Sequence, residues 1–388
     1  MLSVAEATRA VLARLPRTPI VELALAEAQG AFLAHAITAG RALPGFTNSA
    51  MDGYAARSAE LPASLPVVAM VAAGARAIAP LVPGTVARIF TGAPLPDGAD
   101  VVVMQENAVR DGDQVLLPAS RVGDNVRRAG EDFAVGDPVL AAGARLRAWD
   151  LGVLAALGIG RVRCHRRPLV AIVATGDELV EVDTVPEPGQ LVDSSAHALA
   201  ALIRDAGGEP VYLGIAPDDP AAIAELLDEA LAHDVTITTG GVSVGDHDHV
   251  RDVLAAAGVV PELWKVAMKP GKPFSFGLRG TTPVFGLPGN PVSTIVAFEL
   301  FVRPALLAMQ GAAVVERPRV PVRLATPYRK PAGRTHYLRA RVDAGVAHVH
   351  ARQGSAMLSS LLGSNALVEI PAAETESTEV VAIMLECT

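Results

Sequence analysis

Five stretches of this sequence carry acids, lysines or clustered glycines where chemistry can be done. They are Thr175-Gly176-Asp177-Glu178, Pro217-Asp218-Asp219, Gly240-Gly241-Val242-Ser243-Val244-Gly245-Asp246-His247-Asp248, Lys269-Pro270-Gly271-Lys272-Pro273 and Leu287-Pro288-Gly289-Asn290-Pro291. Two carboxylates about 4 Å apart repel by roughly 4 kcal/mol at an effective dielectric near 20, so several together need a bound cation or a spacing ligand. Oxygen-only donors beside phosphates favour Mg²⁺ over zinc. Lysines held between prolines suit a compact oxyanion, each charge-assisted hydrogen bond being worth roughly 1.5–3 kcal/mol. The Gly240–Gly245 loop can present backbone N–H groups as an anion nest. Asn290 is a candidate N-cap and Pro291 fits the first helical position, which leaves a helix N-terminus facing a phosphate. The set reads as a site for a phosphorylated anion and a hard metal ion. Each stretch alone has a plainer reading as a turn or cap, and the glycine loop matches neither GxGxxG nor GxxxxGK[ST]. His247-Asp248-His249 has metal-like residue types without a third ligand nearby.

These stretches can act together only if the fold brings them to one edge. Residues 167–312 predict that. Apolar runs at Leu169–Ala174, Val211–Ile215, Val235–Thr239, Trp264–Met268 and Val284–Leu287 read as strands. Helical patterns at Ser195–Ala206, Asp219–Ala232, His249–Ala257 and Pro291–Met309 lie among them. Such alternation gives right-handed crossovers and a mostly parallel sheet with helices on both faces. Ligands of open α/β sheets bind beyond the carboxyl ends of the strands, where the five stretches fall.

The flanking regions have other textures. Residues 3–35 predict helices, the first capped by Ser3 with Glu6 three residues on, the second around Glu22–Ala36. From 44 to 145, short apolar runs (Val67–Val71, Ala99–Met104, Val115–Leu117) alternate with turns such as Pro96-Asp97-Gly98, predicting a small β domain. Trp149–Leu157 resumes a helical pattern, so the β segment is read as an insertion. The expected organisation is a helical or linker domain over 1–43 and 146–166, an inserted β domain over 44–145, an α/β domain over 167–312 and a β-barrel-like domain over 313–388. The expected fold class is therefore multidomain α/β around a three-layer central domain.

Composition narrows the function classes. The 388 residues carry a net charge of −8 and 51% hydrophobic residues, which excludes a general polyanion binder and a mostly disordered chain. The 2 cysteines, Cys164 and Cys387, rule out a disulfide framework or a cysteine-built zinc site and fit a reducing compartment. The start of the chain lacks the basic-then-apolar order of a signal peptide, and charged or Gly/Pro residues are expected to interrupt every apolar stretch before a membrane span is reached. The expectation is a cytoplasmic protein without nucleic-acid or membrane partners.

Further stretches are too particular for ordinary loops: Asn48–Ala55 (NSAMDGYA), Ile89–Pro96 (IFTGAPLP) and Arg127–Asp132 (RRAGED). Arg334, Arg339 and Arg341 with Gln353-Gly354-Ser355 form either an oxyanion pocket or a charged strand face.

Taken in order, NSAMDGYA, TGAP (Thr91–Pro94), RAGED (Arg128–Asp132), ATGDEL (Ala174–Leu179), GGVSVGDHD (Gly240–Asp248), KPGKP (Lys269–Pro273) and LPGNPVS (Leu287–Ser293) resemble the molybdopterin molybdenumtransferase family, MoeA type, including the E domain of gephyrin. The resemblance spans nearly the whole chain. It implies the last step of molybdenum cofactor assembly, in which adenylylated molybdopterin, Mg²⁺ and molybdate give the cofactor and AMP. It also implies a homodimer whose site faces the α/β domain of one chain with the NSAMDGYA region of the other. Carried over by motif, Asp52, Asp132, Glu178, Asp218 and Asp248 are the functional acids, with Glu178 and Asp248 as metal ligands. Lys265, Lys269, Lys272, Arg339 and Ser355 hold oxyanions, the last four being the expected molybdate ligands. Gly240, Gly241 and Ser243 cradle the pterin-side phosphate, and Thr91, Pro288, Gly289 and Asn290 complete the substrate contacts. The implied partners include the molybdopterin adenylyltransferase and the molybdoenzymes that receive the cofactor. Alternatives are an adenylyltransferase-like enzyme sharing the α/β domain, and a non-catalytic pterin- or nucleotide-binding scaffold. Val192-Asp193-Ser194-Ser195 departs from the family in having serine where asparagine is usual, and the Asp248–Trp264 segment is about one residue longer than the pattern.

Overall fold

The computed structural model describes residues 1–75, 78–241 and 249–385. It divides into two compact units. One comprises Met1–His35, Ala142–Arg147 and Val162–Thr388, the other Ala36–Ala141 with Ala148–Arg161.

The first unit contains the α/β domain. In chain order its elements are β1 (Leu169–Thr175), α1 (Ser195–Asp205), β2 (Glu209–Ala216), α2 (Pro220–Ala230), β3 (Val235–Thr239), α3 (His249–Ala256), β4 (Val260–Trp264), β5 (Ser275–Arg279) and β6 (Thr282–Leu287). The sheet order is β2-β1-β3-β6-β5-β4. Strands β2, β1, β3 and β6 are parallel; β5 runs against β6 and β4 against β5, so β4 again points with the parallel set. Val170 to Ala174 are all buried. A continuous apolar run of this kind suits a strand covered on both faces, where an alternating one would leave polar side chains inside. Helix α2 begins as its sequence dictates: Asp219 accepts hydrogen bonds from the Ala221 and Ala222 N–H groups, with Pro220 in the first turn. Asp193 does the same for α1, its Oδ1 accepting from the Ser195 and Ala196 N–H groups at 2.8 and 3.3 Å.

The helical run after β6 is α-helical over Pro291–Ala297, a π turn over Phe298–Val302, and α-helical again over Arg303–Met309. Pro304 lacks the N–H that would reach Leu300, and the Thr8 hydroxyl donates to that freed carbonyl instead. By length and composition alone this run is apolar enough to cross a membrane, with 19 residues and a mean hydropathy of 1.7, although Glu299, Arg303 and Pro304 interrupt it as the sequence leads one to expect. It is 78% buried inside the protein, where Val296, Phe298, Phe301 and Leu306 centre the main core.

The C-terminal region closes into a barrel. Its strands run Thr335–Asp343, Val346–Val349, Arg319–Arg329, Glu376–Met384, Ala366–Ile370 and back to Thr335–Asp343, as the sequence reading expected. The second unit holds a curled sheet in the order Val101–Met104, Gly53–Ala56, Val86–Ile89, Ala63–Val71, Gln114–Leu117 and Val109–Asp111.

Two expectations are corrected, and one strand is added to them. Only Val4–Leu12 of the N-terminal segment is α-helical; the predicted second helix around Glu22–Ala36 is replaced by the strand Ile20–Ala24, paired with Arg161–His165, and a short 3-10 turn over Leu25–Glu27. Pro16 and Pro19 end the helical pattern, and Val21, Leu23 and Leu25 alternate with a period of two. Trp264–Met268 is not one strand. Lys265 adopts φ +71° and turns the chain out of the sheet, after which Met268-Lys269 pairs with Thr335-His336 of the barrel. The strand Ser275–Arg279, absent from the sequence reading, forms a hairpin with β6 through Gly280.

Candidate functional site

Register alone shows that the lysine loop leaves the same edge as the parallel strands. Gly214, Val173, Thr238, Gly286, Ser275 and Trp264 form one transverse row across all six strands. The next residues leave the sheet: Gly176 to Glu178 after β1, Pro217-Asp218 after β2, Gly240-Gly241 after β3, Lys265 onward after β4 and Pro288 to Asn290 after β6. Cross-links hold these turns together. The Gly176 N–H donates to the Ala216 carbonyl and the Gly240 N–H to the Leu287 carbonyl, both at 3.2 Å. The Asp218 N–H donates to Asp177 Oδ1 at 2.9 Å. Asp177, named in the first of the five stretches but given no role of its own from sequence, therefore fixes the Asp218 turn against the Glu178 turn.

Gly240 explains its own identity. At φ +87°, a Cβ there would lie 2.5 Å from the Thr175 carbonyl oxygen. The Gly289 position approaches it too, an added Cβ there falling 3.6 Å from the Gly240 Cα. The glycine pair is thus a place where two backbones nearly touch at the rim.

The lysine-bearing loop is anchored by backbone bonds, the Lys265 N–H to the Phe274 carbonyl and the Val266 N–H to the Lys272 carbonyl. Lys269 and Lys272 are exposed and Lys265 half-buried. Asn290 occupies the N-cap position, but its side chain makes no capping bond. The Val292 N–H is instead taken by the Ser355 carbonyl at 3.0 Å, so the barrel's Ser355 sits against the first turn after the LPGN motif. Arg339 is only 1% exposed. Its Nε donates to Ser360 Oγ at 3.0 Å and its Nη2 to the Gly354 carbonyl at 3.1 Å. In this geometry Arg339 braces the loop carrying Ser355 and does not present its charge at an open surface. That alters the expectation of a direct oxyanion ligand.

Of the predicted acids at this edge, Glu178 and Asp218 are exposed. Their carboxylates have no hydrogen-bond or ion-pair partner among the described residues. Asp248 and Ser243 lie outside the described residues. No three His, Cys, Asp or Glu side chains among the described residues are grouped to hold a metal ion. Free carboxylates with no nitrogen or sulfur donor grouped beside them among the described residues suit a hard, hydrated cation that draws its other ligands from phosphate, and do not fit a structural zinc site.

Asp52, Thr91 and Asp132 belong to the second unit, where three motifs are stitched together. Ser49 of NSAMDGYA exchanges backbone bonds with Gly92 and Ala93 of TGAP, and Asn48-Ser49 pairs with Val126-Arg127 just before RAGED. Asp52 Oδ1 accepts from the Thr91 N–H and the Thr91 hydroxyl, both at 2.8 Å. The Thr91 N–H first, then its hydroxyl, hold the Asp52 carboxyl below its ordinary value of 3.8. The exposed Asp132 is placed by its own N–H, which donates to the Leu43 carbonyl. Arg88 went unnoticed in the sequence. Its guanidinium lies 5.1 Å from the Tyr54 ring centroid and 4.9 Å from that of Phe90, and it donates to the Gly53 carbonyl and to Gln105. A cation in an alternating strand reads as a solvated face, and only the paired aromatics reveal it as a fixed charge near Asp52.

His336 was also missed. It is 5% exposed, its Nδ1 lies 3.2 Å from the Tyr328 hydroxyl, and Lys269 is its ladder partner. Burial first, then Lys269, Lys330 and Arg334, push its pKa from 6.5 down to about 4. The folded protein thus refuses a proton that the unfolded chain accepts between those values, so stability falls as the pH drops from 6.5 toward 4. His336→Gln is expected to flatten that part of the profile, measured as urea midpoints at pH 4.5, 5.5 and 7. An unchanged slope would remove His336 as the titrating group.

Three family models match the chain: "MoeA N-terminal region (domain I and II)" over residues 2–158, "Probable molybdopterin binding domain" over 171–308 and "MoeA C-terminal region (domain IV)" over 321–385. The molybdopterin molybdenumtransferase of Nostoc sp. is 42% identical over 308 residues, covering 76% of this chain and 70% of the relative. The molybdopterin molybdenumtransferase 2 of Mycobacterium tuberculosis is 37% identical over 96% of each chain. Among solved structures, a molybdopterin biosynthesis MoeA protein from Pyrococcus horikoshii superimposes with a TM-score of 0.86 at 32% identity, over 99% of this chain and 100% of its own.

Proposed function

Since the chain belongs to the molybdopterin molybdenumtransferase family, whose members are transferases of molybdenum cofactor biosynthesis, we propose that it catalyses the last step of that assembly. In this reading the substrates are adenylylated molybdopterin and molybdate, and AMP leaves as molybdenum enters the dithiolene. The observation that carries the reading is the meeting of free acids, a lysine loop and closely packed glycine turns on one sheet edge.

The residues divide the work by charge. Lys269 and Lys272, exposed on a loop anchored at both ends, attract and orient the anionic oxygens of molybdate and of the phosphoanhydride. Ser355, set against the first turn after Asn290, lines the same place, with Arg339 holding its loop. Gly240, Gly241 and Ser243 receive the phosphate on the pterin side. Bound Mg²⁺ supplies charge neutralisation at the phosphoanhydride, and Glu178 with Asp248 are the residues assigned to hold it. Asp218, fixed through Asp177, shapes the pocket beside them. Cleaving a phosphoanhydride needs mainly positioning and charge stabilisation, so no residue here has to act as a strong general acid.

Thr91, Asp52 and Asp132 serve the same reaction from the second unit. The arrangement proposed is a homodimer, with the NSAMDGYA region of one chain opposite the α/β domain of its partner, working in the cytoplasm. The molybdopterin adenylyltransferase would deliver the substrate, and molybdoenzymes would take up the product.

Incubating purified protein with adenylylated molybdopterin, Mg²⁺ and molybdate tests the reading directly. AMP release and cofactor formation that both require molybdate are the expected result. AMP release indifferent to molybdate would point to a hydrolase, and no release at all would favour a binding scaffold.

A further inference from the structure

Beside the rim lies a small cavity that none of the motifs explains. It encloses about 210 Å³ between α3 and the β4–β5–β6 edge of the sheet. Its floor is apolar, formed by Leu254, Val259, Phe276 and Val284. Its polar lining comes from Arg251, Asp252 and Ser275, with Trp264 beside them. The Arg251 guanidinium lies over the Trp264 ring, 5.2 Å from its centroid. The Asp252 carboxylate and the Ser275 hydroxyl have no hydrogen-bond partner among the described residues.

The position of this cavity follows from the register. Trp264 and Ser275 pair with each other in the same transverse row as Gly286 and Thr238. That row lies two residues before Gly240 and Pro288, where the chain leaves the sheet. Lys265 follows Trp264 directly. A group seated against Trp264 therefore lies next to the turns that hold anions.

Size and lining narrow the occupant. Whole drug-sized ligands fill roughly 300–1,000 Å³, so 210 Å³ holds a ring fragment of a larger molecule. Apolar space edged by an indole with a guanidinium over it is the kind of surface on which proteins seat nucleobases and related rings. A carboxylate and a hydroxyl without partners among the described residues suit the ring N–H and amino groups of such a heterocycle.

We infer that the cavity lined by Arg251 and Trp264 binds a flat, fused heteroaromatic ring of the substrate whose phosphates lie on the neighbouring rim. This rests on the proposed function. The substrate named there carries two such rings, a purine and a pterin, and the experiment tells them apart.

The chain has 2 tryptophans, Trp149 and Trp264, so Trp149→Phe leaves Trp264 as the single reporter. AMP, 6-hydroxymethylpterin and ribose 5-phosphate are titrated separately into this protein while its fluorescence is followed. Saturable quenching by AMP assigns the cavity to the purine, and by the pterin to the pterin; ribose 5-phosphate, which has no ring system, is expected to leave the signal unchanged. Arg251→Gln, a change at an exposed position, is expected to weaken the quenching ligand about tenfold, equal to about 1.4 kcal/mol, with ribose 5-phosphate affinity unaltered by calorimetry. The inference is overturned if neither ring compound quenches, if ribose 5-phosphate quenches equally, or if Arg251→Gln leaves ring affinity intact. Molybdate-dependent AMP release is assayed on the same preparation. Turnover without ring-dependent quenching rejects the cavity alone, and ring-dependent quenching without turnover rejects the proposed reaction alone.

Discussion

Glu178→Gln is expected to lower molybdate-dependent AMP release by at least about 100-fold while leaving the fold intact. The size follows from the job: a charged group aimed at a reacting phosphoanhydride contributes on the order of 10²–10³ in rate when removed singly. The fold should survive because Glu178 is exposed and no described residue depends on its carboxylate. Circular dichroism and thermal midpoint should match the parent protein, and binding of the adenylylated intermediate should persist. Asp218→Asn, also at an exposed position, should cost less, since Asp177 holds that turn through the backbone N–H of residue 218. Parent-like AMP release by Glu178→Gln would reject the metal-holding role assigned to that carboxylate.

The largest effect on stability is expected at Gly53. It lies on the strand Gly53–Ala56, between Val86–Ile89 and Val101–Met104, and a Cβ there would fall 2.0 Å from the Val103 carbonyl oxygen. That neighbour is backbone in the middle of a sheet and cannot swing aside. Gly53→Ala should therefore destabilise the second unit by about 3 kcal/mol or more, the upper end for overpacked interiors. The matched control is Gly152→Ala, on the helix Ala148–Ala156 of the same unit, where an added methyl meets nothing within 4 Å. Replacing a helical glycine in open space should stabilise by about 0.5–1 kcal/mol. Urea titrations of both variants check the contrast. A Gly53→Ala midpoint equal to that of the parent would show that the sheet yields where the geometry says it does not.

Much of the α/β domain was legible because local signals agreed there. Val235–Thr239 was read as a strand and is one over the same residues. The Asp219-Pro220 start of α2 followed from capping chemistry that acts over a few residues. The N-terminal segment was misread where signals conflicted, with good helix formers such as Ala and Glu laid out in a strand-like alternation after two prolines. The Trp264–Met268 stretch failed for another reason: its break is a single residue, Lys265, at a positive φ, which side-chain type does not announce.

The site divides the same way. Residue order by itself determined which turns carry acids, lysines and glycines, and the strand–helix alternation put those turns at strand ends, because chain direction and crossover handedness leave little choice. Tertiary structure alone decided what each charge faces. Arg339 was open to two readings and proved to be buried against Ser360 and Gly354; Arg88 became a fixed cation only once Tyr54 and Phe90 closed around it. Burial and partners depend on segments far apart in the chain, and no local pattern of residue types encodes a contact made across that distance.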